Sequence, residues 1–275
     1  EFRRVLFRSY RNREVLQTHG FRLTDSLGKP NNRGLSVAAF SKTRRDDYTR
    51  RLGLFTPEAL HQYQLTLLDS LKQEIERFGP TETVIFTSEQ LHSRLGTTEE
   101  VENLYAILTS IGLSDIVVIV YLREQAEWIN SAYNTGVFCG RTKTLENHPL
   151  NEKKQILFDH QQTIQRFTAV FGKPKVIPRL FCSDTFIESS VEIDFIRSAG
   201  VTLPGHKLVM PKRQNESISA FGLEILRRLN QRIPYWLPDK SENPQRKLLF
   251  ETFQRSFKTG SKTNLSPKLA AAYRE

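Results

Sequence analysis

Hydrophobic residues recur along most of the chain at the three- and four-residue spacing of amphipathic helices. The clearest case is Pro57 to Phe78, where leucine, tyrosine, isoleucine and phenylalanine keep that spacing until a glycine and a proline end the helix. Two capping boxes, Thr97 with Glu100 and Ser189 with Glu192, predict the starts of two more helices. The predicted helical regions are 10–20 (the end of a helix), 57–78, 97–112, 125–138, 153–171, 189–199 and 215–230.

Short runs of β-branched and apolar residues lie between these helices and have the composition of strands. The runs are Thr83 to Phe86, Ile116 to Leu122 and Val176 to Phe181. The second run is continuously apolar, which is typical of a strand buried on both faces in a parallel sheet, whereas Pro178 indicates a strand at a sheet edge. Strands that alternate with helices predict a three-layer α/β fold, with a mainly parallel sheet flanked by helices.

Two stretches follow neither pattern. Leu27 to Asn32 contains glycine, proline and two asparagines, which predict a loop. Thr43 to Arg51 is polar and charged, and we expect a mobile surface segment there.

The composition is that of an ordinary soluble globular chain, with 38% hydrophobic and 25% charged residues, but the net charge is +10. A basic protein suits nucleic acid, an anionic membrane surface, or a phosphorylated or acidic substrate. The basic residues are spread along the chain without a nucleic-acid-binding motif, so nucleic acid is not the expected partner. No apolar run approaches the roughly 18 residues that cross a bilayer. The two cysteines have no ligand-like spacing and favour a reducing compartment.

The first nine residues, Glu1 to Ser9, match the in-frame translation of a common sequencing-library adapter, and we expect them to be foreign to the protein. The one methionine is Met210, so we expect the natural sequence to begin at Tyr10, in mid-protein. Without the three arginines and one glutamate of the adapter-like segment, the net charge is about +8. Residues 10–275 are predicted to form a single domain. Because Glu275 falls within an apparent helix, a truncated C-terminus is a further prediction.

Arg123 follows directly after the predicted strand that ends at Leu122, where the next helix begins. Ligands of open parallel sheets bind beyond the C-terminal ends of the strands, and a planar guanidinium beside a helix N-terminus suits a phosphate. Ser131 lies eight residues further on, two turns into the helix, where its hydroxyl could bind the same phosphate. The alternative is that Arg123 pairs with Glu124 or Glu127 and that Ser131 is a neutral residue on the helix surface.

An arginine followed eight positions later by a serine, at a strand-to-helix junction with a tyrosine two residues on, resembles the 3′-phosphate-binding motif of sulfotransferases. The segment VYLREQAEWINSAY, from Val120 to Tyr133, is similar to a bacterial sulfotransferase-like group of P-loop proteins. Other stretches resemble that group in the same order, and the resemblance covers most of residues 10–230. These stretches begin at Asn12, Gly28, Phe86, Phe171, Asp194 and Asn215.

The resemblance implies a P-loop fold and a nucleotide donor, 3′-phosphoadenosine 5′-phosphosulfate, with no metal ion. Arg123 and Ser131 would bind the 3′-phosphate of that donor. In the family a first strand and a phosphate loop of the Lys-Thr/Ser-Gly-Thr-Thr type precede the helix at Asn12. We expect this strand and loop to lie upstream of Tyr10, where the adapter-like residues stand, and we expect the polypeptide without them to be inactive.

Sulfuryl transfer needs a general base that takes the proton of the acceptor hydroxyl. Glu89, beyond the second strand run, lies in an order that resembles where these enzymes place catalytic groups. The alternative is that Ser88 caps the next helix and Glu89 sits at its N-terminal end, where the helix dipole favours negative charge. His92 is a weaker candidate, with a position on the helix surface as its alternative.

Two further positions bear on the resemblance. The family often has histidine after the asparagine of Gly28-x-x-Asn31, whereas this chain has Asn32, which cannot act as a base. Arg179, at the end of another strand, is a further candidate for binding the cofactor, and a salt bridge is the alternative for it.

The sequence therefore leads to one expected function and two alternatives. The expected function is transfer of a sulfuryl group to a hydroxyl, on a carbohydrate or cell-surface glycan, by a protein of the cytoplasm or the inner membrane surface; the acceptor class is implied by the resemblance alone. The first alternative is a P-loop small-molecule kinase or other phosphotransferase, which would lack a 3′-phosphate site. The second is a non-catalytic glycan-assembly protein of the same fold, which would bind glycan without transferring sulfate.

Overall fold

In a computed structural model of the protein, the described residues are 10–145, 157–202, 208, 218–238, 241, 243–257 and 259–272. The adapter-like segment Glu1 to Ser9 lies outside them. The predicted first residues of the helices at 153–171 and 215–230 also lie outside them, as does part of the motif that begins at Asn215.

Short parallel strands alternate with helices, so the fold is of the α/β class, as the sequence predicts. The strands are β1 (Phe21–Leu23), β2 (Thr83–Ile85), β3 (Val118–Leu122) and β4 (Val176–Leu180). The helices are α1 (Arg13–Gln17), α2 (Arg33–Ala38), α3 (Asp47–Arg51), α4 (Pro57–Ile75), α5 (Glu89–Arg94), α6 (Thr98–Ser110), α7 (Gln125–Phe138), α8 (His160–Phe171), α9 (Val191–Ser198), α10 (Ala220–Arg232), α11 (Pro244–Ser256) and α12 (Pro267–Ala272).

The capping signals predict helix starts with different accuracy. The box at Thr97 is confirmed: its hydroxyl accepts a hydrogen bond from the N–H of Glu100 at 3.2 Å, and the Glu100 carboxylate accepts one from the N–H of Thr97 at 3.4 Å. The second box, predicted at Ser189 and Glu192, is wrong, and α9 has a simple cap in which the Ser190 hydroxyl accepts from the N–H of Ile193. The N-cap of α9 is Ser190 and not Ser189, because Ser189 has a left-handed backbone (φ 52°) that ends a short 3₁₀ turn.

The chain divides into two compact units. The first unit, Glu1–Leu122 with Glu152–Pro211, contains β1 to β4. The second unit, Arg123–Asn151 with Lys212–Glu275, contains α7, α10, α11 and α12. The single domain predicted over residues 10–275 stays a prediction.

The strands of the first unit form two parallel ladders. In the first ladder β1 pairs with β2, with Phe21 opposite Thr83. In the second β3 pairs with β4, with Val118 opposite Val176 and Val120 opposite Pro178. Among the described residues the two ladders are not hydrogen-bonded to each other, and β4 pairs with β3 only, which agrees with the edge position that Pro178 indicates.

Side chains of β3 alternate between two apolar clusters, as the two-residue period of a strand requires. Val118, Val120 and Leu122 of β3 pack into one cluster with leucines and phenylalanines of α4, α6 and α8. Ile119 and Tyr121 pack into the other, with apolar residues of β1, β2, α1 and α9. Helices therefore cover both faces of β3.

The polar segment Thr43 to Arg51, for which the composition predicts a mobile surface segment, contains the helix α3, and Asp46 and Thr49 are buried. Asp46 caps this helix by accepting hydrogen bonds from the N–H groups of Tyr48 and Thr49, both at 2.9 Å. The guanidinium of Arg33 in turn lies 2.6 Å from the Asp46 carboxylate. A helix of five residues is too short to be stable from its own hydrogen bonds, so this cap and ion pair hold it in place.

Polar side chains of the second unit satisfy the C-terminal carbonyls of α7, which have no partner within the helix. The buried Asn230 of α10 donates hydrogen bonds to the carbonyls of Val137 and Arg141, both at 2.8 Å. Arg246 of α11 donates to the carbonyl of Phe138 at 3.0 Å. The end of α7 is thus fixed by residues far along the chain.

The capping box predicts a stability effect at the start of α6. Thr97→Ala should lower the free energy of unfolding by about 1 kcal/mol, because the N–H of Glu100 loses its acceptor. Thr98→Ala, next to it but without a capping bond, is the matched control. Urea unfolding of both variants measures the difference, and equal stabilities would contradict the capping role.

Candidate functional site

A fully buried carboxylate, Asp194 of α9, binds the ends of β3 and β4. Its Oδ1 accepts hydrogen bonds from the Tyr121 hydroxyl at 2.5 Å and from Nε of Arg179 at 3.0 Å. Its Oδ2 accepts from Nη2 of Arg179 and from the N–H of Ile187 at 3.2 Å. Both oxygens are therefore occupied by donors of the first unit.

These contacts set the ionisation of the three side chains. Burial acts to raise the pKa of Asp194, but the hydrogen bonds from Arg179 and Tyr121 outweigh it and hold that pKa below its usual range. Burial and the hydrogen bond to Asp194 raise the pKa of Tyr121, and the hydrogen bond to Asp194 raises the pKa of Arg179. At neutral pH the cluster is a carboxylate held by a phenol and a guanidinium.

Arg179 therefore forms a salt bridge, which the sequence analysis gives as the alternative to cofactor binding for this residue. Its side chain is 31% exposed, while its partner Asp194 is fully buried. Binding of a cofactor by Arg179 stays a prediction, and it would have to share the guanidinium with this carboxylate. Asp194 is not recognisable from the sequence as the partner of Arg179, because this contact depends on the packing of α9 against the strands.

The turn before α9 carries an uncommon backbone conformation. Glu188 and Ser189 are consecutive non-glycine residues with positive φ, 51° and 52°. Such residues are costly and persist where the surroundings fix them. Here the hydrogen bond from the N–H of Ile187 to Asp194 fixes one end of the turn and the Ser190 cap fixes the other.

Glu89 is the first residue of α5, directly after the N-cap Ser88, whose hydroxyl accepts a hydrogen bond from the N–H of Gln90 at 3.3 Å. The alternative for Glu89 predicts this position at the N-terminus of a helix. The side chain is also fixed: Nε2 of Gln90 donates to the Glu89 carboxylate at 2.8 Å, and Nδ2 of Asn31 donates to the Gln90 amide oxygen at 2.8 Å. The sequence did not identify Gln90, which is buried and links Asn31 to Glu89.

Asn32, which stands where the family often has histidine, is buried and joins three segments. Its Nδ2 donates to the hydroxyl of Thr24 at 2.9 Å, just after β1. Its Oδ1 accepts from the N–H of Thr87 at 2.8 Å, just after β2, and its own N–H donates to the carbonyl of Thr87 at 3.0 Å. The amide thus ties together the C-terminal ends of both strands of the first ladder.

His92 is not a simple surface residue of its helix. It is partly buried, and its Nε2 lies 3.4 Å from the hydroxyl of Thr163 on α8. Burial, together with the nearby charges of Arg166 and His160, lowers the pKa of His92 to about 4. The imidazole is therefore neutral at neutral pH.

In the second unit, Arg123 precedes α7, and Ser131 lies within it. Nε of Arg123 is 3.2 Å from the carboxylate of Glu127, as the alternative for this arginine predicts. Ser131 is half-buried. Eight residues of helix rise about 12 Å, so a phosphate bound by both would require the Arg123 side chain to extend along the helix.

Searches against protein-family models, curated proteins and solved structures found no match to this chain. Within the described residues, no group of three or more histidine, cysteine, aspartate and glutamate side chains has the arrangement of a metal site. None of the helices described has the length and apolar character needed to cross a bilayer.

The Asp194 cluster gives a prediction for stability. Asp194→Asn should lower the free energy of unfolding at pH 7 by about 3 kcal/mol, because Arg179 and Tyr121 lose their charged acceptor. Tyr121→Phe, which removes one hydrogen bond to a charged group, should cost about 1.5 kcal/mol. Urea unfolding measures both.

The effect should depend on pH in a defined direction. The pKa of Asp194 is lower in the folded protein than its unfolded value of about 3.9. Its contribution is therefore complete above that value and is lost as the pH falls through the folded pKa. The gap in stability between wild type and Asp194→Asn should stay constant from pH 7 to 5 and narrow below about pH 4. A gap that stays constant down to pH 3 would contradict this ionisation.

Proposed function

We propose that the protein is a sulfotransferase that moves a sulfuryl group from 3′-phosphoadenosine 5′-phosphosulfate to a hydroxyl group. The acceptor that we propose is a carbohydrate or cell-surface glycan. The observation that carries the proposal is the succession of β3, Arg123 and α7, with Ser131 two turns into the helix. The resemblance of residues 120–133 to the 3′-phosphate-binding motif depends on this succession.

The local structure supports the motif. β3 ends at Leu122 and α7 begins at Gln125, so Arg123 lies one residue before the N-cap Glu124. The positive end of a helix dipole favours a bound phosphate. The pairing of Arg123 with the exposed Glu127 does not exclude this role, since an exposed ion pair contributes at most about 1 kcal/mol and a phosphate can replace it.

The arrangement of the strands supports a P-loop fold. Both ladders are parallel, and residues of both pack into the apolar cluster that contains Tyr121. Within the part of the chain that the structure describes, the ladders are not hydrogen-bonded to each other. One further parallel strand between β2 and β3 would join them into a single sheet of five strands. We propose that this strand, with the phosphate loop at its C-terminal end, comes from sequence upstream of Tyr10.

The chemistry requires one base. The acceptor hydroxyl oxygen forms a bond to sulfur while the bond from sulfur to the 5′-phosphate oxygen breaks, and 3′,5′-adenosine bisphosphate leaves. We propose that the Glu89 carboxylate takes the hydroxyl proton. Support comes from the contacts of Gln90 and Asn31, which hold this carboxylate at the start of α5, beyond β2.

The net charge fits an anionic donor and an anionic glycan. We propose that the protein works in the cytoplasm or at the inner membrane surface, a reducing environment that suits Cys139 and Cys182, neither of which is in a disulfide.

The first test is binding of 3′,5′-adenosine bisphosphate by the chain extended with its natural upstream sequence. Arg123→Ala should weaken binding by about 1–3 kcal/mol, because the 3′-phosphate loses a charged donor. Glu127→Gln is the matched control: it removes the competing carboxylate and should leave the affinity unchanged or higher. Isothermal titration calorimetry gives both values, and an unchanged affinity in Arg123→Ala would reject the assignment.

Competition with ATP separates sulfotransferase from kinase. A protein with a 3′-phosphate site should bind the bisphosphate more tightly than ATP. Tighter binding of ATP would favour the phosphotransferase alternative and contradict the proposal. Binding of glycan without transfer of labelled sulfate would indicate the non-catalytic alternative.

The second test concerns the base. Glu89→Gln should reduce the rate of sulfuryl transfer by about 10²–10⁴-fold, the usual contribution of a general base, and should leave bisphosphate affinity intact. Glu99→Gln, an exposed glutamate in the first turn of α6, is the control for a helix-dipole effect. If Glu89→Gln loses only a fraction of a kcal/mol of stability and keeps its transfer rate, Glu89 has a structural role alone.

A further inference from the structure

Arg166 of α8 is a buried cation whose hydrogen-bonding capacity is largely unused. The residue is 7% exposed, and its Nε and Nη2 atoms have no hydrogen-bond partner among the residues that the structure describes. Its guanidinium carbon lies 5.9 Å from the centre of the Phe167 ring, which provides a cation–π contact. A buried charge is normally paired and hydrogen-bonded, so this arginine requires an explanation.

The two carboxylates that act on Arg166 are engaged elsewhere. Glu100 accepts hydrogen bonds from the N–H of Gly96 at 2.8 Å and from that of Thr97. Asp159 caps α8, accepting from the N–H of Gln162 at 2.8 Å. Both act to raise the pKa of Arg166, but burial prevails and lowers it. Neither forms an ion pair with Arg166 within residues 10–145 and 157–202.

Besides the carboxylates of Glu100 and Asp159, the groups near Arg166 include side chains that are cationic or can donate hydrogen bonds. Thr163, fully buried, is three residues earlier on the same face of α8, where side chains lie about 5–6 Å apart. His92 contacts the Thr163 hydroxyl, and the charge of Arg166 disfavours its protonation. Arg44, whose Nε lies 3.8 Å from the Glu100 carboxylate, offsets part of the negative charge of that carboxylate.

Nε and Nη2 are the two nitrogens whose N–H bonds point in parallel along one edge of a guanidinium. That edge binds two oxygens of one anion, the bidentate geometry typical of arginine with phosphate or carboxylate. The His92 ring, 3.4 Å from the Thr163 hydroxyl, carries one N–H that is a donor for a third oxygen. Three oxygens on one side of the ligand suit a tetrahedral oxyanion better than a planar carboxylate.

We propose that Arg166, with Thr163 and His92, forms a binding site for a sulfate- or phosphate-type oxyanion within the first unit. The ligand is either the free ion or the sulfate or phosphate ester of a larger molecule. The site does not depend on the proposed sulfuryl transfer, and its residues are separate from Arg123 and Ser131.

The test is a titration of the full chain with sodium sulfate or phosphate at millimolar concentration, against sodium chloride of equal ionic strength. Thermal unfolding and calorimetry should show saturable stabilisation by sulfate and not by chloride. Arg166→Met should abolish it, and Arg166→Lys, which keeps the charge but loses the parallel donors, should weaken affinity at least about tenfold. Arg228→Met, at an exposed arginine of α10 that pairs with Glu224, is the matched control and should retain it.

Without sulfate, Arg166→Met should be at least as stable as the wild type, since it removes an uncompensated buried charge. A sugar sulfate ester that binds more tightly than inorganic sulfate would identify the ester as the ligand, and equal affinities would identify the free ion. Three results would overturn the proposal: no saturable sulfate effect in the wild type, the same effect in Arg166→Met, or failure of Arg166→Met to fold.

Discussion

The carboxylate of Asp194 is the contact on which the second ladder depends. One buried charge holds Tyr121 of β3, Arg179 of β4 and the backbone of Ile187. A ladder of two strands is marginal in water by itself, and its stability must come from the layers packed against it. Asp194 joins both strands to α9 and also fixes the strained turn before that helix. One side chain therefore holds the strands, the turn and the helix in position relative to one another.

The sequence predicts elements whose stabilisation is local. β3 and α7 have nearly the predicted bounds, because a continuous apolar run and a following helical pattern each suffice. β1 was missed because it has only three residues, with Arg22 at its centre. α3 was missed because Asp46 is fixed by Arg33, thirteen residues earlier, and a polar composition does not reveal such a contact.

The same distinction applies to the candidate sites. The sequence predicts an alternative for three candidate residues because each alternative follows from a neighbouring residue type or from a general preference. These alternatives are an ion pair for Arg123, a capped helix start for Glu89 and a salt bridge for Arg179. The roles of Asn32, Gln90 and Arg166 depend on burial, which arises only when distant segments pack. Asn32 also shows that a position can depart from a family pattern for a structural reason, since its amide joins the ends of β1 and β2.

The attachment of the end of α7 has a consequence for synthesis on the ribosome. The carbonyl of Val137 is satisfied by Asn230, 93 residues later, and that of Phe138 by Arg246, 108 residues later. At roughly 5–20 residues per second, the nascent chain leaves this helix end without its final partners for about 5–20 s. During that interval the carbonyl of Val137 keeps its local hydrogen bond from the N–H of Gly140, but it lacks Asn230 and the carbonyl of Phe138 lacks Arg246. The second unit can complete its folding only once α10 and α11 have emerged.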